Sequence, residues 1–149
     1  YLCCRDAARA LDFYAKAFGA TERLRFTDPS GKIGHAEIEI EGGAVMISDE
    51  WPDHGVFSPA PHRGTTLTTR PAGPEATPPC HAPFSNVGAA AQAAGAGATI
   101  ERGPNDEPYG DRTCWLRDPF GHRWALATPV EQVSKEELRR RMGDAFLID

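Results

Sequence analysis

Two short segments that close apolar helical stretches recur 78 residues apart, Phe18-Gly19-Ala20-Thr21 and Ala96-Gly97-Ala98-Thr99. The same spacing relates Gly43, ahead of Ala44-Val45-Met46-Ile47, to Gly121, ahead of His122-Arg123-Trp124-Ala125. Around both pairs the periodicity predicts one element order: a strand, a helix, then three strands with a turn glycine before the last. The chain is therefore expected to be a duplicated βαβββ unit. Each unit is a small sheet with a helix on one face, and two side by side curl into a cup whose concave surfaces meet.

At 149 residues, with 40% hydrophobic and 25% charged residues, the chain buries a core without staples. The formal net charge of −5 argues against nucleic acid or an anionic membrane surface, since both call for a basic face. No apolar run approaches the roughly 20 residues of a membrane span. The sequence opens on Tyr1 without a charged-then-apolar leader, the expectation for a trimmed chain and not a secreted precursor. Cys3, Cys4, Cys80 and Cys114 lack metal-type spacing, so reduced thiols and a cytoplasmic location are expected, with a disulfide between strands as the alternative.

Tyr1 to Arg5 has strand character, and Asp6 caps a helix from Ala7 to Phe18 with a Leu11, Tyr14, Ala15, Phe18 stripe. Strands follow at Glu22 to Phe26, Lys32 to Glu41 and Ala44 to Ser48. In the second of these, Ala36, Ile38 and Ile40 alternate with His35, Glu37, Glu39 and Glu41, so the helix covers the first set and the cup receives the second. Residues 50 to 79 hold many of the 13 prolines, and 70 to 79 lack any period, which predicts a long loop with a strand at Thr65 to Thr69 before it. Asn86 caps a helix through Ala96 that is almost all alanine and glycine, so the second unit is expected to be the less stable. Strands at Thr99 to Glu101, Arg112 to Leu116 and His122 to Ala127 complete it, and Ser134-Lys135-Glu136-Glu137 is a capping box for a charged last helix. The expected organisation is one domain over 1–149: module one about 1–49, a linker about 50–80, module two about 81–128, and a C-terminal helix about 134–143.

The offset of 78 makes Thr113, Trp115 and Arg117 the equivalents of His35, Glu37 and Glu39, and the predicted cup lining is His35, Glu37, Glu39, Arg112, Trp115, Arg117 and Arg123. Such a lining suits a small polar or amphipathic ligand. Glu37 and Tyr109 are the candidate catalytic groups, Glu37 as a base with His35 as its titrating partner. Their alternatives are a solvated strand face for His35 and Glu37, and for Tyr109-Gly110-Asp111-Arg112 a structural loop with Asp111 paired to Arg112 or a backbone amide. Trp115 offers a flat apolar wall, Trp124 is expected in the core, and His122 is expected exposed in its turn. His54 and His62 lie in the Pro-rich loop without spacing signal. The sequence has neither a GxSxG elbow nor a phosphate loop.

Several segments together resemble the vicinal oxygen chelate superfamily of glyoxalase I, bleomycin-resistance proteins and extradiol dioxygenases, and within it the PhnB-like group. They are Arg5-Asp6-Ala7-Ala8, Asp12-Phe13-Tyr14 through Phe18-Gly19-Ala20, Gly34-His35-Ala36-Glu37-Ile38, Tyr109-Gly110-Asp111-Arg112 and Asp118-Pro119-Phe120-Gly121-His122-Arg123-Trp124. The resemblance covers most of the chain apart from roughly residues 65 to 85. It implies an α+β fold of two βαβββ modules forming a cup-shaped, incompletely closed β-barrel, usually as a homodimer with a ligand or metal in the cup. Metal-using members supply a last-strand carboxylate four residues after the turn glycine, where this chain has Ile47 and Ala125. The first-strand ligand falls at or before Tyr1 in module one and near Pro79 or His81 in module two. Without those carboxylates no metal cofactor is expected, and His35 and Glu37, joined by His81, are the remaining non-standard site. The leading expectation is a small-molecule-binding protein of the glyoxalase and bleomycin-resistance type. Its alternative is a metal-dependent lyase, isomerase or thiol-conjugating enzyme of the same superfamily, and a third reading is a decayed duplicate with an interaction role.

Overall fold

The computed structural model describes residues 1–59, 66–69 and 86–143. Its elements run β1 (Leu2–Cys4), α1 (Ala7–Phe18), β2 (Thr21–Thr27), β3 (Ile33–Ile40), β4 (Gly43–Asp49), a short 3₁₀ turn (Pro52–His54), β5 (Thr66–Thr69), α2 (Asn86–Gly95), β6 (Thr99–Asp106), β7 (Asp111–Arg117), β8 (Arg123–Pro129) and α3 (Lys135–Met142). They form two four-stranded sheets of the same order, β1-β4-β3-β2 and β5-β8-β7-β6. In each the first strand runs parallel to the last, with Leu2 opposite Ile47 and Leu67 opposite Trp124. This is the cup-forming α+β arrangement of two βαβββ modules.

The helices begin and end where local chemistry dictates. The Asp6 carboxylate accepts the Arg9 amide at 3.0 Å, and Gly19, at φ +64, closes α1 by donating to Ala15. Ser134 caps α3 by accepting the Glu137 amide. The buried side of α1 is wider than the predicted stripe. Ala7, Ala10, Leu11, Phe13, Tyr14, Ala17 and Phe18 are buried while Ala15 is exposed, because α1 lies against sheet one and also against α2. The small side chains of α2, with Ala89, Ala90 and Ala93 buried, let that helix approach closely, and Trp124 fills the space they leave. Trp124 lies 4.7 Å from Phe18 and 5.3 Å from Tyr14 between ring centroids, which joins the two helix-covered faces into one core.

A buried carboxylate organises the end of sheet one. Asp49 accepts the amide of Ala7 through Oδ1 at 2.8 Å and that of Ile33 through Oδ2 at 2.7 Å, tying the end of β4 to the starts of α1 and β3.

The 78-residue register relates the start of β2 to that of β6 and the end of β3 to that of β7, including a defect. Arg23 is the extra residue of a bulge between β2 and β3, and Glu101 is the extra residue of the same bulge between β6 and β7. The register then slips by one. Glu41 and Gly42, both at positive φ, make a two-residue turn between Ile40 and Gly43, whereas Pro119 to Gly121 put three residues between Asp118 and His122. Glu41 thus belongs to a turn and not to the strand. Beyond the turns the equivalent positions are 79 apart, so Gly121 corresponds to Gly42 and not to Gly43.

The second sheet takes its parallel edge strand from Thr66–Thr69, inside the stretch expected as linker. His81, Cys80, His62 and the Pro-rich run 70–79 lie outside the described residues.

Candidate functional site

Alternation along β3 sends Ala36, Ile38 and Ile40 under α1 and leaves His35, Glu37 and Glu39 on the far, concave face, each half-buried. His35 is the centre of this face. Its Nδ1 lies 3.3 Å from Tyr1 Oη and its Nε2 lies 3.4 Å from Glu37 Oε1. With the tyrosine hydroxyl donating to Nδ1 and Nε2–H donating to the carboxylate, all three groups are satisfied. The rings of Tyr1 and Phe26 stand 5.9 and 6.0 Å from the imidazole.

The register places Leu24 and Met46 on either side of Glu37, and Phe26 beside His35. Tyr1, Leu24, Phe26 and Met46 are all solvent-exposed, Tyr1 at 64% and Phe26 at 59%. Four large apolar side chains around a His–Glu pair make a surface that is greasy and polar at once. Sequence pattern alone misses these four, because the bulge at Arg23 hides the alternation of β2 and because the repeat count points to Ile47 in place of Met46.

The concave face of sheet two is polar and pre-assembled. The Arg123 guanidinium lies 4.9 Å over the Trp115 ring, and Arg123 Nε donates to Glu101 Oε2 at 2.5 Å. Arg117 Nε donates to the other oxygen, Oε1, at 2.8 Å. Hydrogen bonds from Arg123, and then Arg117, hold the Glu101 carboxyl below the usual glutamate range. In sheet one the equivalent bulge residue, Arg23, pairs with Glu39. The two faces carry the same ion pair with its signs exchanged.

One predicted lining residue, Arg112, lies off that face. Arg112 alternates with Thr113 and so leaves the Trp115 face; it forks onto Asp106 at 2.5 and 2.9 Å, which raises its pKa further. Asp106 faces it across the hairpin, and the adjacent Asp111 is buried. Tyr109 is exposed on the turn between β6 and β7, closed by the Gly110 amide donating to Glu107. His122, expected exposed, is 1% exposed. Two cavities, of about 340 and 440 Å³, lie away from both concave faces. One is bounded by α1 and the turn at Phe120, the other by the Glu107 turn and Arg141.

Among the described residues the two faces present no donor set for a divalent metal. The last-strand positions that face the cup are Met46, opposite Glu37, and Ala125, opposite Trp115, while Ile47 points into the core. A thioether and a methyl group are not ligands for a hard cation. His35 and Glu37 supply two donors, and the described residues hold no cluster of three His, Cys, Asp or Glu suited to a metal. Burial raises the pKa of Cys3, Cys4 and Cys114, keeping these free cysteines as thiols and not nucleophilic thiolates.

Comparison with known proteins agrees with this architecture. The chain is 37% identical over 147 residues to the Mycobacterium tuberculosis (strain ATCC 25618 / H37Rv) protein named "Uncharacterized protein Rv0887c", covering 96% of this chain and 80% of that one. Among solved structures it is similar to TioX from Micromonospora sp. ML1, with a TM-score of 0.62 and 25% identity over 86% of this chain and 94% of that one. It shares its fold with a Bacillus cereus PhnB protein described as a putative 3-demethylubiquinone-9 3-methyltransferase, at TM-score 0.56 and 18% identity, covering 85% and 95% of the two chains. The model of the Glyoxalase/Bleomycin resistance protein/Dioxygenase superfamily matches residues 1–126, and the chain belongs to that superfamily.

Proposed function

We propose that this protein binds a small amphipathic molecule in the cup, against the His35–Glu37 face of sheet one, without a metal. The observation that carries this reading is the ring of exposed apolar side chains, Tyr1, Leu24, Phe26 and Met46, around a hydrogen-bonding imidazole and carboxylate. Apolar contact supplies affinity and the His–Glu pair fixes orientation. Trp115 with the Arg117, Glu101 and Arg123 cluster offers a flat wall and guanidinium donors for the rest of the cup. We further propose a homodimer in the cytoplasm. Its support is that exposed apolar surface of this kind is covered more cheaply by a second copy than by water, and that the described cysteines are free.

The test is a ligand screen by fluorescence and thermal shift, with Phe26→Ala and His35→Ala alongside. Hits that lose affinity in both variants while the melting temperatures hold support the reading. Hits indifferent to both variants overturn it. Near-stoichiometric divalent metal in protein purified without chelator or histidine tag would also overturn it, and would return the lyase, isomerase or thiol-conjugating alternative. Sedimentation equilibrium decides the dimer.

A further inference from the structure

His122 reaches out of its own module. It follows the turn between β7 and β8, yet its ring is buried against the first strand of sheet one, with Nε2 3.1 Å from the Cys3 carbonyl oxygen and 3.6 Å from Cys4 Sγ. The base of the residue is fixed, since its amide donates to Asp118 Oδ1 at 2.9 Å. Only Nε2–H can serve the Cys3 carbonyl, so the ring is the neutral tautomer protonated on Nε2. Nδ1 is then a bare acceptor, and it is buried with no hydrogen-bond partner among the described residues.

The groups that face the ring do not offer Nδ1 a place for a proton. From its own turn comes Asp118, whose oxygens already accept the Phe120 and His122 amides, the Tyr14 hydroxyl and the Trp124 indole. From β1 come the Cys4 thiol and the Cys3 carbonyl. A second proton on the ring would become a buried donor without an acceptor, in a site that also penalises the added charge.

We propose that His122 is an acid-sensitive latch between the two modules. Neutral, it pins β1 to the turn between β7 and β8; protonated, it leaves the junction and frees that strand. Burial pushes its pKa below the ordinary histidine value while Asp118 pulls the other way, and burial wins. The sign follows. The open state protonates near the ordinary value of about 6.5 and the closed state only at lower pH, so the latch holds fully above about 6.5 and weakens as pH falls below it. Release would reach the concave face, because Tyr1, next to β1, meets His35. The latch itself stands whether or not the cup binds a ligand.

The test pairs ring NMR of His122 with amide exchange of β1 between about pH 7.5 and 5, corrected for intrinsic exchange. His122→Gln keeps an amide N–H for the Cys3 carbonyl and cannot titrate; His35→Gln is the control. The expected result is a His122 ring that titrates below the exposed histidines, and β1 exchange that rises by up to about tenfold per pH unit below about 6.5. That rise persists in His35→Gln and is absent from His122→Gln. A ring that titrates at or above the exposed histidines, or the same rise in His122→Gln, overturns the latch. Should His122→Gln not fold, the ring titration of the unaltered protein decides.

Discussion

Tyr14 Oη donates to Asp118 Oδ2 at 2.7 Å, joining the middle of α1 to the turn between β7 and β8 across 104 residues of sequence. The same carboxylate oxygen accepts the Trp124 indole N–H at 2.9 Å, so one buried acid holds an aromatic from each module. Burial first, and the adjacent Asp118 charge second, push the Tyr14 phenol well above its ordinary pKa, keeping it a donor at every physiological pH.

Tyr14→Phe removes one of the four hydrogen bonds to Asp118 without changing the ring's shape. The expected loss is about 1.5–3 kcal/mol, the range for a hydrogen bond to a charged group. Urea unfolding measures it. A loss below about 0.5 kcal/mol, the scatter of surface substitutions, would mean that the modules are not held by this contact.

The exchanged ion pairs predict a swap. Arg23 with Glu39 and Glu101 with Arg117 occupy equivalent bulge positions with opposite polarity, so the backbone accepts either sign. Arg23→Glu alone sets two carboxylates together and is expected to cost about 0.5 kcal/mol, because both side chains are partly exposed. Adding Glu39→Arg should restore the original unfolding midpoint. A double variant no more stable than the single one would show that the pair is specific to one polarity.

Much of the fold was legible because periodicity and caps are local signals. Asp6, Gly19 and Ser134 mark helix ends that the structure keeps, and the alternation of β3 places His35, Glu37 and Glu39 on one face. What failed was counting across a turn. Gly43 and Gly121 share the 78-residue spacing, but one turn has two residues and the other three, so the count put Ile47 where Met46 belongs. His122 misled for a related reason: turns are usually exposed, and nothing local signals that β1, more than a hundred residues earlier, covers this one. Arg112 finds Asp106 because a residue across the hairpin shares its face.

The C-terminal helix should respond to acid. Glu137, in the first turn of α3, accepts from Arg140 at 2.8 Å and from Arg141 at 2.7 Å, and these hydrogen bonds lower its pKa to about 2. Arg141 also forks onto Glu131 and reaches the Pro108 carbonyl, which anchors α3 to the turn before β7. The folded pKa is depressed, so the contribution of Glu137 is present above the ordinary value of about 4.3 and lost as pH falls toward 2. Amide exchange in α3 should therefore quicken over that window and be insensitive to it in Glu137→Gln. Equal pH dependence in both proteins would exclude Glu137 as the cause. Because the group is partly exposed, added salt should blunt the effect.

Gly110 is the position where one methyl group should do most damage. Its φ is +95, and a Cβ there would run into the Glu131 carbonyl and come within 2.9 Å of Val133 Cγ2. Neither can retreat freely, since the Gly110 carbonyl accepts the amides of Val130 at 2.9 Å and Glu131 at 3.0 Å and so clamps the end of β8 over the turn. Gly55 is the comparison, with φ +73 and open space where a methyl group would sit. Gly55→Ala incurs the left-handed backbone strain alone, about 1–2 kcal/mol. Gly110→Ala adds the collision, and is expected to lower the unfolding free energy by at least about 2–3 kcal/mol while loosening α3, whose Arg141 is anchored on the same segment. Chemical denaturation of the two variants side by side separates strain from collision: equal losses would mean that the segment around Glu131 moves aside, and that the clamp between β8 and the Gly110 turn is soft.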